Sequence, residues 1–191
     1  MKNKNVMTSC LLTLFISMMA NSQKTFLSVG PELALPARFD QSHNNIGTGI
    51  GGSLRLEASW SKHVSGIATV GYLSFEEASP FSTQPTFTEQ LNTIIIQAGI
   101  KYYIKERIDL TKGVFFSGEL GSMPTTNEIT FTTGAKEKFK EGGLSLALGT
   151  GYQLKNIEAS FRLQYNLAAR GFHIYYYNFR LAYAFLREKK K

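Results

Sequence analysis

Cysteine is almost absent: Cys10 stands alone among 191 residues, which excludes an intramolecular disulfide and a cysteine-based zinc site. Charge is sparse too, at 18%, yet 43% hydrophobic content excludes a disordered chain. A formal net charge of +7 invites a nucleic-acid reading. However, Lys2 and Lys4 lie at one extreme of the chain, and Arg187, Lys189, Lys190 and Lys191 crowd the other against Glu188 alone. The body keeps only about +2, too little for the basic footprint that nucleic acid requires. Beyond residue 22, no stretch approaches the roughly 18 consecutive apolar residues of a membrane-spanning helix. With only five prolines, long segments run uninterrupted.

The first segment present is a leader. Lys2 and Lys4 form a basic start, and Val6 to Ala20 is an uncharged, mostly apolar stretch of about 15 residues, a signal-peptide core too short to span a bilayer. Ala20 and Ser22 supply the small residues a signal peptidase reads, so residues 1–22 are expected to be removed. Cys10 lies inside the apolar core rather than after it, which argues against lipidation. The exported remainder, about 169 residues, fits one domain.

That remainder is built on alternation. In Thr48 to Trp60 the even positions include Ile50, Leu54, Leu56 and Trp60, and the odd ones Ser53, Arg55 and Glu57. A period of 2 is the signature of a two-faced β-strand. The pattern returns in Thr93–Ile104, Leu144–Tyr152, Ile157–Asn166 and Tyr175–Phe185, and less regularly in Phe26–Leu35, Val64–Phe75 and Gly113–Ser122. Pro31 removes a ladder hydrogen bond from the first strand, and parity breaks at Leu73 and Phe75, so either place is a candidate bulge. Short connections (61–63, 105–112, 154–156) alternate with mostly longer ones (37–46, 76–91, 123–142, 167–172), as in an up-and-down barrel of an outer membrane. The expected fold is therefore all-β: an eight-stranded antiparallel transmembrane barrel over residues 23–185, followed by a basic periplasmic tail, 186–191.

A soluble lipocalin-like barrel also alternates, with its apolar face turned inward. Its exterior would need many charges, yet the polar face here is mostly Gly, Ser, Ala, Asn and Gln. The apolar-face aromatics gather at strand ends: Trp60, Tyr102, Tyr152, Tyr183 and Phe185 toward the short turns, and Tyr72, Tyr165 and Tyr175 toward the long loops. They read as two interfacial girdles, so the apolar face meets outer-membrane lipid. On the polar face lie four acids, Glu32, Glu57, Glu119 and Glu158, and four bases, Arg55, Lys101, Arg162 and Arg180. Isolated buried ions are costly, so these are expected to form a paired lumen network, with Glu158 and Arg180 as neighbours. An eight-stranded lumen is narrow enough for side chains to fill, which favours a plugged barrel over a porin-like conduit for a small solute.

The chain resembles the outer-membrane β-barrel domain proteins common in Bacteroidetes-type bacteria, relatives in architecture of the small eight-stranded enterobacterial barrels. The residues carrying the resemblance are Ile96-Gln-Ala-Gly-Ile-Lys-Tyr-Tyr-Ile104, Leu148-Gly-Thr-Gly-Tyr152 and Phe179-Arg-Leu-Ala-Tyr-Ala-Phe185. The last is similar to the C-terminal signal read by the barrel-assembly machinery, although six residues follow Phe185. The resemblance implies a fold and an outer-membrane location, and no defined activity.

Some barrels of this architecture modify lipid A, a chemistry that needs a histidine base beside a nucleophile. His43, next to Ser42, and His173 would lie on the outer side, and His63 in a periplasmic turn. They read more simply as solvated histidines, so neither catalysis, nor a cofactor, nor a metal site is expected. The remaining surface is the pair of long loops, 76–91 and 123–142. There Ile129, Phe131 and Thr133 alternate as if strands continued above the membrane, exposing an edge to which an extracellular partner could add a strand. The sequence thus reads as a monomeric outer-membrane barrel with a structural or interaction role.

Overall fold

The computed structural model describes residues 24–37, 46–77, 87–104, 112–168 and 173–188. The leader, the tail end 189–191 and the Ser42–His43 pair fall outside the described residues. Ten strands are described: β1 (Lys24–Pro36), β2 (Ile46–Ser59), β3 (Val64–Glu77), β4 (Phe87–Tyr103), β5 (Lys112–Ser122), β6 (Thr125–Phe131), β7 (Lys136–Glu141), β8 (Gly143–Leu154), β9 (Ile157–Ala168) and β10 (His173–Glu188). Successive neighbours pair antiparallel, and β1 closes on β10, giving an eight-stranded barrel with a protruding hairpin.

That hairpin is continuous with the wall. β6 extends β5 and pairs with the upper part of β4 (Phe87↔Phe131 to Thr93↔Thr125) in the same register that joins β4 to β5 lower down (Ile96↔Ser122). β7 likewise extends β8: Thr125↔Glu141 and Ser122↔Leu144 lie on one unbroken register. The break at Met123 and Pro124 is bridged by Met123 N donating to Gly143 O (3.0 Å) and Ile94 N donating to Pro124 O (2.9 Å). The expected loop 123–142 is therefore mostly strand, and Thr133 belongs to its turn. The loop 76–91 is also shorter than expected, because β3 reaches Glu77 and β4 starts at Phe87.

Three further expectations change. Parity does not break in β3: Ile67, Leu73 and Phe75 are buried in line with Thr69, while Val70 and Tyr72 are exposed. The lumen at that level is simply apolar. Register holds through Leu73↔Thr93 and Phe75↔Leu91, and the irregularity lies in β2, between Ile46 and Gly49. Pro31 interrupts the ladder to β10 without shifting it, since Val29↔Tyr183 and Glu32↔Arg180 share one register. Finally, β10 runs past Phe185: Leu186, Arg187 and Glu188 pair with Phe26, Thr25 and Lys24, so the tail begins as wall.

The wall's outer face carries the large exposed apolar side chains, among them Ile50, Leu54, Leu148 and Leu181. A concavity of about 710 Å³ on it, lined mainly by outward residues such as Pro31, Leu33, Ile50, Ala159, Phe161 and Phe179, is apolar. Close strand approach needs glycine in places. A Cβ on Gly51 would overlap Tyr72 O, so any side chain there would force β2 and β3 apart.

Candidate functional site: a filled and charged lumen

The lumen is filled in layers. At the end that carries the hairpin Ala34, Leu73, Phe75, Ile95, Met123 and Tyr176 form an apolar cap, with Phe75 edge-on to Tyr176 at 5.6 Å between centroids. The Met123 sulfur accepts hydrogen bonds from Tyr176 Oη (3.1 Å) and Gln164 Nε2 (3.4 Å). Beneath lies a neutral polar layer in which Gln97 and Gln164 both donate to Ser145 Oγ (2.8 and 3.0 Å). Toward the end of the short turns Phe26, Ile67, Tyr103 and Phe115 are buried.

The charges lie between. All eight inward acids and bases are at most 3% exposed. Strand alternation aims every one inward, and barrel closure then brings together residues far apart in sequence. Glu158 meets Arg55 (2.9 Å) and Arg180 (3.1 Å); Arg55 meets Glu119 (2.9 Å); Glu119 meets Arg162 (3.3 Å). Arg162 meets Glu32 (2.7 Å), and Glu32 approaches Arg180 (3.6 Å). These contacts close a ring of alternating sign: Glu158, Arg55, Glu119, Arg162, Glu32, Arg180 and back. Lys101 hangs below it, bound to Glu158 (2.8 Å) and Glu57 (2.6 Å), with its ammonium 4.2 Å from the Phe115 ring centroid.

Neutral side chains add to the coordination, although Arg162 Nε has no hydrogen-bond partner. Thr69 Oγ1 donates to Glu119 (2.7 Å), Asn178 Nδ2 and Ser53 Oγ donate to Glu32, and Arg180 Nε donates to Ser53 Oγ (2.9 Å). Tyr103 Oη lies 3.0 Å from Glu57 Oε1 and 2.9 Å from Gln153 Oε1. The sequence reading did not assign these residues to the network. The signal that finds them is inward parity beside a charge. Buried ions need several partners each to offset lost hydration, and each of the eight charges here has at least two.

The expected girdle residues lie on the outer face. Trp60, Tyr72, Tyr102, Tyr152, Tyr183 and Phe185 are exposed, Tyr165 and Tyr175 are half-buried, and the last two stack at 4.6 Å. His63 Nδ1 sits 3.1 Å from Tyr103 O in the β2–β3 turn, and its ring stacks on Tyr102. The His173 side chain falls outside the described residues. Among the described residues there is no group of His, Cys, Asp and Glu able to hold a metal ion.

Beyond the barrel the hairpin carries one clear charge cluster, in which Glu128 accepts from Lys138 (2.7 Å) and Lys136 (3.0 Å). The hydrogen bonds from Lys138 and then Lys136 hold its carboxyl below the ordinary 4.5. A lowered folded pKa stabilises the hairpin at pH values above the ordinary one, and this support is lost as pH falls through the folded value. NMR titration should therefore give Glu128 a midpoint under 4.5, with the cross-strand contacts of Lys136 and Lys138 fading in the same step. A midpoint at or above the ordinary value would show that the pairs do not persist in solution.

The sequence model of the family described as outer membrane protein beta-barrel domain matches residues 8–185. No curated protein matches the chain. Among solved structures it is similar to Ail, the attachment invasion locus protein of Yersinia pestis, at 13% identity and a TM-score of 0.63, covering 86% of this chain and 99% of that one. OprG from Pseudomonas aeruginosa gives 8% and 0.53, over 88% and 98%. The N-terminal beta-barrel domain of Pseudomonas aeruginosa OprF gives 11% and 0.51, over 86% and 99%. At such identities the likeness is one of fold.

Proposed function

The chain belongs to the outer membrane protein beta-barrel domain family, and from that premise we propose that it is a closed, monomeric barrel with a structural or interaction role carried by its extracellular hairpin, without catalysis. The observation that carries this reading is the lumen, which is filled in turn by an apolar cap, a neutral polar layer, an ion-pair ring and buried aromatics. What remains for contact with a partner is the outer surface, where β6 and β7 rise beyond the barrel. β7 pairs only with β6 among the described residues, but its alternate lysines blunt it against strand addition. The faces of the hairpin are therefore the better contact surface.

Export by the leader 1–22, insertion by the barrel-assembly machinery through the Phe179–Phe185 signal, and kinship with the Bacteroidetes-type branch belong to the same proposal. The sequence motifs support all three. Planar-bilayer recordings test the central point. The folded barrel should give no sustained openings, and nanosiemens-scale openings would sink the closed-barrel reading in favour of a conduit.

A further inference from the structure

We propose that the outward face of the β6–β7 hairpin seats the phosphate groups of outer-leaflet glycolipid headgroups. This rests on the outer-membrane reading above and names the partner of one face of the hairpin. Because β7 continues β8 without a register shift, Lys136, Lys138, Lys140, Gly142, Leu144, Leu146 and Leu148 lie along one side of one wall strand. The three leucines are 51%, 43% and 59% exposed, on the face turned to acyl chains, whereas Ser145 and Ala147 between them are buried in the lumen. Thus a single stripe passes from lipid-facing leucine to lysine.

The height is right for headgroups. Lys140 lies four residues beyond Leu144, about 13 Å along a strand and about 10 Å along the membrane normal at an ordinary barrel tilt. Leu146 sits opposite Tyr165, whose stacking on Tyr175 marks the upper interfacial girdle just below. Long lysine side chains reach toward a polar layer while their stems lie along the wall.

The charge is right as well. Glu128 is the only acid at the outward positions of β6 and β7, and Lys136 and Lys138 share it, while Glu76 of β3 stands two strands away, opposite Gln90. Lys140 stands opposite Thr126 with no acidic partner among the described residues. The adjoining outward positions of β4, Gln90 and Asn92, are neutral amides engaged with Ser74 and Tyr72. The face keeps an uncancelled excess of positive charge, with the Lys136 and Lys138 side chains each 58% exposed. A basic cluster beside an apolar membrane-facing surface attracts anionic headgroups. Continuity with the leucine stripe favours a lipid over a soluble anion.

The test places the whole folded barrel in phosphatidylcholine nanodiscs doped with bisphosphorylated lipid A, with dephosphorylated lipid A or with neither. Amide shifts of residues 136–140 are followed against lipid mole fraction. Bisphosphorylated lipid A should saturate these shifts at a mole fraction at least tenfold below the dephosphorylated form. K136Q/K138Q/K140Q should abolish that preference, and K136R/K138R/K140R should keep it. Equal response to the two lipids, or an unchanged preference in the glutamine variant, would overturn the proposal. So would equally tight binding of the free bisphosphorylated sugar headgroup, which would assign the face to a soluble anion. Heat-modifiability gels confirm that each variant is folded. Bilayer recordings on the same samples separate the two proposals: openings would refute the closed barrel, whereas lost phosphate preference in a silent barrel would refute only the lipid seat.

Discussion

Replacing Glu158 with glutamine should lower the unfolding free energy of the barrel by about 3–5 kcal/mol, the range for removing one partner of a buried ion pair. Glu158 is the junction of the lumen: Arg55, Arg180 and Lys101 all bind it within 3.1 Å. Glutamine keeps the size and one acceptor but removes the charge, so the ring opens and the lumen carries one uncompensated cation. Each of the three cations retains a second acid, Glu119, Glu32 or Glu57 respectively, which places the loss toward the lower end of the range. Reversible urea unfolding in lipid vesicles measures it, with the single tryptophan, Trp60, as reporter. In E158Q/R180M the charge balance returns, so the double variant should lose less than the sum of the singles by about 1–3 kcal/mol. A loss under about 1 kcal/mol for E158Q, within the usual range for an exposed pair, would mean that the lumen is hydrated and the ring is not desolvated.

Leu148→Arg should be nearly as damaging, costing about 2–4 kcal/mol as expected for an arginine on the lipid face near the bilayer midplane. Leu148 is in the middle of β8, 59% exposed, and flanked on neighbouring strands by Gly118 and Leu163. On a water-soluble barrel a leucine this exposed would accept arginine within about 0.5 kcal/mol. The same urea titration thus tells which solvent bathes the wall. Thr126→Arg on the hairpin, above the membrane, provides the comparison and should be near neutral. A neutral Leu148→Arg would place water, not lipid, against the leucines.

Both predictions join what is legible in the residue order to what is not. Strict alternation in Thr48–Trp60 or Tyr175–Phe185 marks each strand and its lipid face, because side chains on a strand must point to opposite sides. Leu73 and Phe75 mislead the same rule. They are apolar yet inward, since the hairpin end of the lumen is filled by an apolar cap that only the assembled barrel creates. The span Met123–Gly142 is half legible: the alternation of Ile129 and Phe131 marks strand within what its length suggests is a loop, but the β4 extension that offers β6 a continuous edge to pair with shows only in the assembled barrel.

Composition and parity alone settle that eight charges face inward, that they balance, and that the outer coat is greasy, because those properties are local to each strand. Which carboxylate meets which guanidinium is another matter. Glu32 and Arg162 are 130 positions apart, and Arg55 and Glu158 are 103 apart. Their meeting depends on the stagger between neighbouring strands and on β1 closing against β10. Stagger and closure are collective properties of all eight strands and leave no mark on any one of them.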